Sequence, residues 1–141
     1  SCEHAAVAEA TACSDGNVTT CGDACTAGVC APGVPVAAPV PVNDSVRLAK
    51  TATEAAIGWT DAPGPFNVYR GVRGQGAAWV YNHACLATQV SGTLVTDGEI
   101  PPADQLFYYL VSRVDWCRES ILGQDSSGHG VTDVTPCGVA P

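Results

Sequence analysis

The sequence predicts an all-β protein in which a sandwich of about seven short strands follows a small disulfide-rich module. From residue 46 onward, short runs of alternating apolar and polar residues are separated by turn signals such as Asp61-Ala-Pro-Gly-Pro65. No long 3.6-residue apolar repeat occurs, and residues 1–13 are the one helical candidate. Five of the eight cysteines fall within the first 33 residues. These three observations set the fold class.

The chain is predicted to have three parts. Residues 1–33 form the cysteine-rich module, residues 34–45 form a Pro/Val linker or one-edged strand, and residues 46–141 form the sandwich. The strands predicted for the sandwich are 45–51, 53–60, 66–71, 78–83, 92–96, 106–115 and 130–135.

The cysteine density indicates disulfide bonds and an oxidising compartment, either extracellular or at the cell surface. The candidate disulfide residues are Cys2, Cys13, Cys21, Cys25, Cys30, Cys85, Cys117 and Cys137. Zinc is the competing interpretation, but zinc sites usually combine two closely spaced ligand pairs. The histidines (His4, His83 and His129) are scattered and show no such spacing. We therefore expect no metal and no cofactor.

Both segments contain an odd number of cysteines, so full oxidation requires at least one bond between segments or between chains. If the strands alternate in direction, Cys85 and Cys117 lie at the same end of the sandwich and are a plausible pair. Cys137 would lie at the other end, because a strand separates the two ends by roughly 20–30 Å. We therefore expect Cys137 to pair with an N-terminal cysteine, or Cys2 or Cys137 to bond to another copy.

The formal charge of −8, with six Lys and Arg residues, excludes the basic surface typical of nucleic-acid binding. The chain contains no run of about 18 apolar residues, so we expect no membrane span. Only 14% of its residues are charged. That fraction is low for a soluble monomer and suits a chain that buries surface against copies of itself.

The segment VPVAAPVPV, residues 34–42, combines strand-like alternation with prolines. In an extended chain, the N–H groups of residues 35, 37, 39 and 41 point to one edge, and three of these residues are proline. Every N–H on the other edge is intact. The residues on this intact edge are the candidate subunit contacts: Val34, Val36, Ala38, Val40 and Val42. Three interpretations stay open: a stiff spacer, an edge strand of its own domain, or a strand added to a neighbouring subunit.

Residues 46–137 resemble bacterial fibronectin type III domains. The resemblance lies in TEAAIGWTDAPGPFNVYRG, PPADQLFYYLVSRVD and SSGHG, which place Trp59, Tyr69 and Phe107/Tyr109 where the family has its aromatic residues. It implies a fibronectin type III/immunoglobulin-like sandwich in an extracellular setting and implies no chemistry. The register that turns Tyr109 inward also turns Arg113 inward, so we expect Arg113 to lie at the strand end or to pair with an acid such as Asp115 or Glu119. The preceding SDGN and CTAGVC resemble cysteine-rich modules of secreted bacterial proteins.

Other motifs point to surface features. Asp125-Ser-Ser-Gly-His129 is interpreted as a turn, since five adjacent residues cannot form a catalytic triad. No calcium-loop pattern groups the aspartates. Asn17 and Asn43 match the N-glycosylation acceptor pattern. The aromatic residues Trp79, Tyr81 and Trp116 are interpreted mainly as core, with a ligand patch or a subunit contact as alternatives.

These observations predict a non-enzymatic extracellular structural protein, a subunit of a head-to-tail assembly or filament stabilised by disulfides and strand addition. Its expected partners are copies of itself. The alternative is a monomeric cell-surface adhesion or carbohydrate-binding module, with a surface glycan or a protein as ligand. An enzyme is the third alternative.

Overall fold

The computed structural model describes residues 8–17, 19–61 and 63–138. Within these ranges the secondary structure consists of β-strands, and residues 8–13 of the helical candidate contain no helix; its residues 1–7 lie outside the description. The strands are β1 Thr20–Cys21, β2 Ala24–Thr26, β3 Val29–Ala31, β4 Val34–Pro35, β5 Arg47–Lys50, β6 Ala55–Gly58, β7 Phe66–Gly74, β8 Ala84–Val90, β9 Leu94–Asp97 and β10 Gln105–Arg113. The chain divides into two compact units between Ala38 and Pro39.

The N-terminal unit contains two small antiparallel sheets, β1–β4 and β2–β3. The Cys13–Cys30 disulfide closes it, with 5.9 Å between the Cα atoms. The Asp23 carboxylate accepts the backbone N–H groups of Gly33 (2.9 Å) and Asp15 (3.0 Å). These bonds favour the ionised form and hold the pKa of Asp23 below its usual value. A single carboxylate thus organises two loops that lack regular structure.

The C-terminal unit is a sandwich of two three-stranded antiparallel sheets, with strand orders β5-β6-β9 and β10-β7-β8. Alternating residues of both sheets meet in one core. Its fully buried members are Ile57, Trp59, Phe66, Val68 and Val111. The Trp59 and Phe66 rings pack edge to face, 5.1 Å apart. The prediction of an all-β sandwich is therefore confirmed.

Strand β7 is buried on both faces, and the chain after β10 explains why. Phe66 and Val68 face the core, whereas Tyr69 packs on the opposite side against Leu122 and Val131. These two residues belong to a hairpin-like loop in which Leu122 donates its N–H to Val131 O at 2.8 Å. Residues 119–138 thus cover the outer face of the β10-β7-β8 sheet.

Two predicted strands are wrong. Residues 78–83 form an irregular loop, and the strand follows it at β8. The Asn82 side chain explains the difference, because it bonds both Val72 N (3.1 Å) and Val72 O (3.0 Å) and so occupies the β7 edge itself. Residues 130–135 form only isolated bridges, including Ala84↔Thr135.

The disulfide pairing predicted for the sandwich is also wrong. Cys85 bonds to Cys137, with a Cα–Cα distance of 4.8 Å. Because Cys85 lies near the start of β8 rather than after a strand, and the Ala84–Thr135 bridge is parallel, the two cysteines come together in the outer layer. A bond from Cys137 to an N-terminal cysteine or to another copy is thereby excluded.

The remaining cysteines differ in state. Cys21 and Cys117 are also disulfide-bonded, but the prediction is wrong for Cys25, which is a buried free thiol. Cys2, the other predicted point of attachment to a neighbouring copy, lies outside the described residues.

Candidate functional site

The outer edge of β10 is open along most of its length. Arg113 and Ser120 exchange hydrogen bonds, through Arg113 N to Ser120 Oγ (3.0 Å) and Ser120 N to Arg113 O (2.9 Å). The backbone of Arg113 therefore points away from β7, and so does that of every second residue before it. Among the described residues, none pairs with the backbone N–H and C=O groups of Phe107, Tyr109 and Val111.

The sequence indicated β10 as a strand but not its open edge. The signal is the run 122–130, in which LGQDSSGHG supplies turn residues where a further strand would need alternating apolar residues. Gly123 (φ 134°) and Gly128 (φ 81°) adopt backbone conformations that bend this segment away from a straight strand. The segment therefore covers a sheet face, and although Leu122 and Gly123 lie beside Tyr109 and Val111, no backbone hydrogen bond joins them to these residues.

Two cavities, of about 280 and 290 Å³, lie along this edge and share Tyr109 in their linings. We call them together the β10 groove. One wall is β10 itself, from Gln105 to Val111, and the other lining residues include Val42, Val46 and Leu48, with Leu122 and Gly123 beside Val111. Val111 is only 3% exposed, so its unpaired backbone polar groups have little access to water except through the groove.

In the wall opposite β10, several backbone polar groups already have hydrogen-bond partners. The Arg47 guanidinium donates to the backbone oxygens of Asp44 (2.6 Å) and Val46 (2.8 Å). Asn43 N donates to the Asp61 carboxylate at 3.0 Å. An extended segment in the β10 groove would therefore find its main unsatisfied hydrogen-bonding partners on one side only, the β10 side.

The five candidate contacts at residues 34–42 are placed in different settings. Val34 lies in β4 and pairs with Cys21, and Val36 donates its N–H to Thr19 O at 3.0 Å. Val42 is half-buried against the sandwich core. Ala38 and Val40 are exposed and have no hydrogen-bond partner among the described residues; Val40 is 71% exposed. The intact edge of the segment is thus used by its own module at one end and is free at Ala38 and Val40.

An ion-pair cluster holds Tyr109 in the wall of the groove. Arg70 binds Asp97 at 3.0 Å and Glu99 at 2.6 Å, and Tyr109 OH donates to Asp97 at 2.9 Å. Burial and the adjacent Asp97 raise the pKa of Tyr109 to about 12. Burial alone would raise the pKa of Asp97, but the N–H of Glu99, Arg70 and Tyr109 together lower it. The cluster ties β7, β9 and β10 together.

A second carboxylate, on the half-buried Glu119, anchors the outer layer. Glu119 Oε1 accepts hydrogen bonds from Tyr69 OH (2.7 Å), Asn67 Nδ2 (3.1 Å) and Ser112 Oγ. Burial, together with Glu119, raises the pKa of Tyr69 far above its usual value, so the phenol stays a donor. Asn67 also donates to Gly138 O at 3.2 Å. These contacts, with the Cys85–Cys137 bond, hold residues 119–138 on the sheet face.

An aromatic cluster forms a second surface feature. The Trp79 ring lies 4.9 Å from Tyr108 and 5.9 Å from Tyr81, and the Arg73 guanidinium lies 5.2 Å from the Trp79 ring centre. Trp79 is 46% exposed and Trp116 is 60% exposed, so the prediction that these residues are mainly core is wrong for both. They lie in loops whose irregular backbone leaves one ring face open.

Arg113 finds a partner that the sequence did not indicate. It turns toward the core side of β10 and binds Asp61 at 2.8 Å, with its guanidinium 5.8 Å from the Phe66 ring centre. Neither Asp115 nor Glu119, the acids expected from sequence proximity, is its ion-pair partner. Asp61 comes from the turn after β6, which only the sandwich topology brings near the end of β10.

The remaining motifs are loop features. Asn17 and Asn43 are exposed, and each side-chain oxygen accepts an N–H two residues on, from Thr19 and Ser45 respectively (both 3.0 Å). Asp125 likewise accepts the N–H groups of Ser127 and His129, as expected of a turn.

Among the described residues, no group of three or more His, Cys, Asp or Glu is placed to hold a metal ion. The described chain also contains no helix long and apolar enough to span a membrane.

No protein-family model and no curated protein matches the chain. Among solved structures, the chain is similar to a Fn3-like protein from Clostridium thermocellum, at 27% sequence identity and a TM-score of 0.43. The matched region covers 60% of this chain and 85% of that protein.

Proposed function

We propose that this chain is a non-enzymatic extracellular structural protein whose copies associate head to tail by adding a strand to the sandwich of the next copy. The observation that carries the proposal is the β10 edge, where the backbone groups of Phe107, Tyr109 and Val111 are unpaired and border the β10 groove. An open edge next to a groove accepts an extended segment by β-augmentation.

The covalent framework supports the same function. The disulfides Cys13–Cys30 and Cys85–Cys137 each cross-link distant parts of one unit, and such bonds persist in oxidising compartments. Disulfides, together with a β10-β7-β8 sheet that is covered on both faces, suit a subunit that stays folded while exposed outside the cell. We assign no bond between copies to the described disulfides, because both close within the chain.

The test is negative-stain electron microscopy of the native protein over a range of concentrations, with light scattering on the same samples. We expect regular polymers that grow with concentration and that remain after mild reduction, because hydrogen bonds rather than disulfides join the copies. Single small particles at every concentration would contradict the proposal.

A monomeric adhesion or carbohydrate-binding module is the second candidate, favoured by the exposed Trp79, Tyr81 and Tyr108 cluster. A ring face beside a guanidinium suits the apolar face and hydroxyl groups of a sugar. Binding to a glycan array that is lost in Trp79→Ala, from a protein that stays monomeric, would favour this function over assembly.

A further inference from the structure

Resting on the proposed function, we infer that the Ala38–Val40 stretch of one copy pairs with the Tyr109–Val111 edge of β10 in a second copy. The inference begins from what the groove requires. An occupant must present N–H and C=O groups on alternate residues toward β10, where the backbone groups of both acceptor residues are unpaired.

The occupant needs little hydrogen-bonding capacity on its other edge. The far wall of the groove has its Asp44 and Val46 oxygens bonded by Arg47. An ordinary strand would place N–H groups against this capped wall, where they would lose water without gaining partners. The segment around Val40 avoids that cost, because Pro39 and Pro41 have no N–H on that edge.

The part of the segment that is free to pair matches the Tyr109–Val111 part of the β10 edge in length. Val36 is held by Thr19 within its own module, and Val42 is packed on its own core. Between them only Ala38 and Val40 have free N–H groups on the intact edge. Two residues facing the edge span about 7 Å, as do Tyr109 and Val111.

The same chain is a poor source for this strand. Val42 is part of the wall opposite Val111, so residues 38–40 of that chain would have to reverse direction within two residues to enter the groove. Pro41 fixes its own φ, and it restricts Val40 to extended conformations. An extended Val40 therefore does not fold back past Val42 into the same groove, and a second copy is the occupant.

A pair of proline variants tests the inference. Val40→Pro removes an N–H from the intact edge at a 71% exposed position, so the fold is retained. Ala37→Pro is the matched control, because it removes an N–H from the edge that already carries Pro35, Pro39 and Pro41. We expect Val40→Pro to raise the critical concentration for assembly at least tenfold and Ala37→Pro to leave it within twofold. Equal assembly of Val40→Pro and the wild type would overturn the inference.

Hydrogen exchange provides an independent readout. In polymers of the wild type, the amides of Tyr109 and Val111 should exchange at least tenfold more slowly than in dispersed protein, while the exposed Ala103 amide should not change. Polymers in which Tyr109 and Val111 exchange as in dispersed protein would refute this contact and leave the proposed function standing. Failure of the wild type to polymerise would reject both.

Discussion

At the scale of single residues, the carboxylates of buried Asp97 and half-buried Glu119 link the layers of the sandwich. Asp97 is 5% exposed and receives hydrogen bonds from Arg70 and Tyr109, and Glu119 receives them from three side chains of the sheet it covers. Each acid is matched by donors from more than one strand, which is how a buried charge is tolerated. Neither cluster is recognisable in the sequence, because the residues that bond Asp97 and Glu119 through their side chains lie 7 to 52 positions away from them.

Replacing Asp97 with Asn should lower the free energy of unfolding by about 3 kcal/mol at neutral pH, because it leaves the Arg70 charge with only the exposed Glu99. The folded state lowers the pKa of Asp97 below its unfolded value of about 3.9. Its contribution is therefore present above about pH 4 and is lost as the pH falls through the folded-state pKa.

Urea denaturation at pH 7 and pH 3 checks this prediction. The difference between wild type and Asp97→Asn should be large at pH 7 and should shrink at pH 3. Asp104→Asn is the control, since Asp104 is exposed and its side chain has no hydrogen bond among the described residues. A difference that is the same at both pH values would indicate that Asp97 acts through packing rather than charge.

At the scale of elements, strands were predicted correctly where the alternation of apolar and polar residues was sustained. The prediction of a strand was wrong where a side chain, rather than a neighbouring backbone, bonds the strand edge. β7 and β10 have long runs of β-branched and aromatic residues, and the predicted ranges overlap them closely. The loop before β8 has the composition of a strand, WVYNH, but Asn82 bonds to the backbone of Val72 and ends the ladder there. Local composition cannot reveal a side chain that takes the place of a neighbouring strand.

The sequence predicts which edge of the Pro/Val segment can form backbone hydrogen bonds, but it does not predict which residues bond to that edge. The intact N–H groups of the even-numbered residues follow from proline chemistry, and Val36 uses its N–H on that edge. The pairing of β1 with the first part of the segment depends on the fold of the module. The cysteines determine that fold, but the sequence does not show which of them pair.

Replacing Glu119 with Ala should release the outer layer. The hydroxyls of Tyr69 and Ser112 and the amide of Asn67 would lose a buried acceptor, and we expect a loss of about 3 kcal/mol in the free energy of unfolding. Guanidinium denaturation checks the loss, and Gln124→Ala, at an exposed position of the same segment, is the control. If both variants unfold at the same midpoint, the buried cluster does not anchor residues 119–138.

At the scale of the whole molecule, charge opposes assembly and the groove favours it. Each copy carries a formal charge of −8, so bringing copies together costs electrostatic free energy that depends on ionic strength. The proposed contact gains backbone hydrogen bonds and apolar burial, and neither depends strongly on salt. Assembly by strand addition is therefore expected to become easier as salt screens the repulsion.

Raising NaCl from 10 to 150 mM should lower the critical concentration several-fold, because the screening length falls from about 30 to about 8 Å. Light scattering at constant pH measures the critical concentration, and the urea midpoint at both salt concentrations verifies that the fold is equally stable. If copies were instead joined by complementary ion pairs, added salt would raise the critical concentration. The direction of the change therefore decides between contacts made by the β10 groove and contacts made by the charged surface.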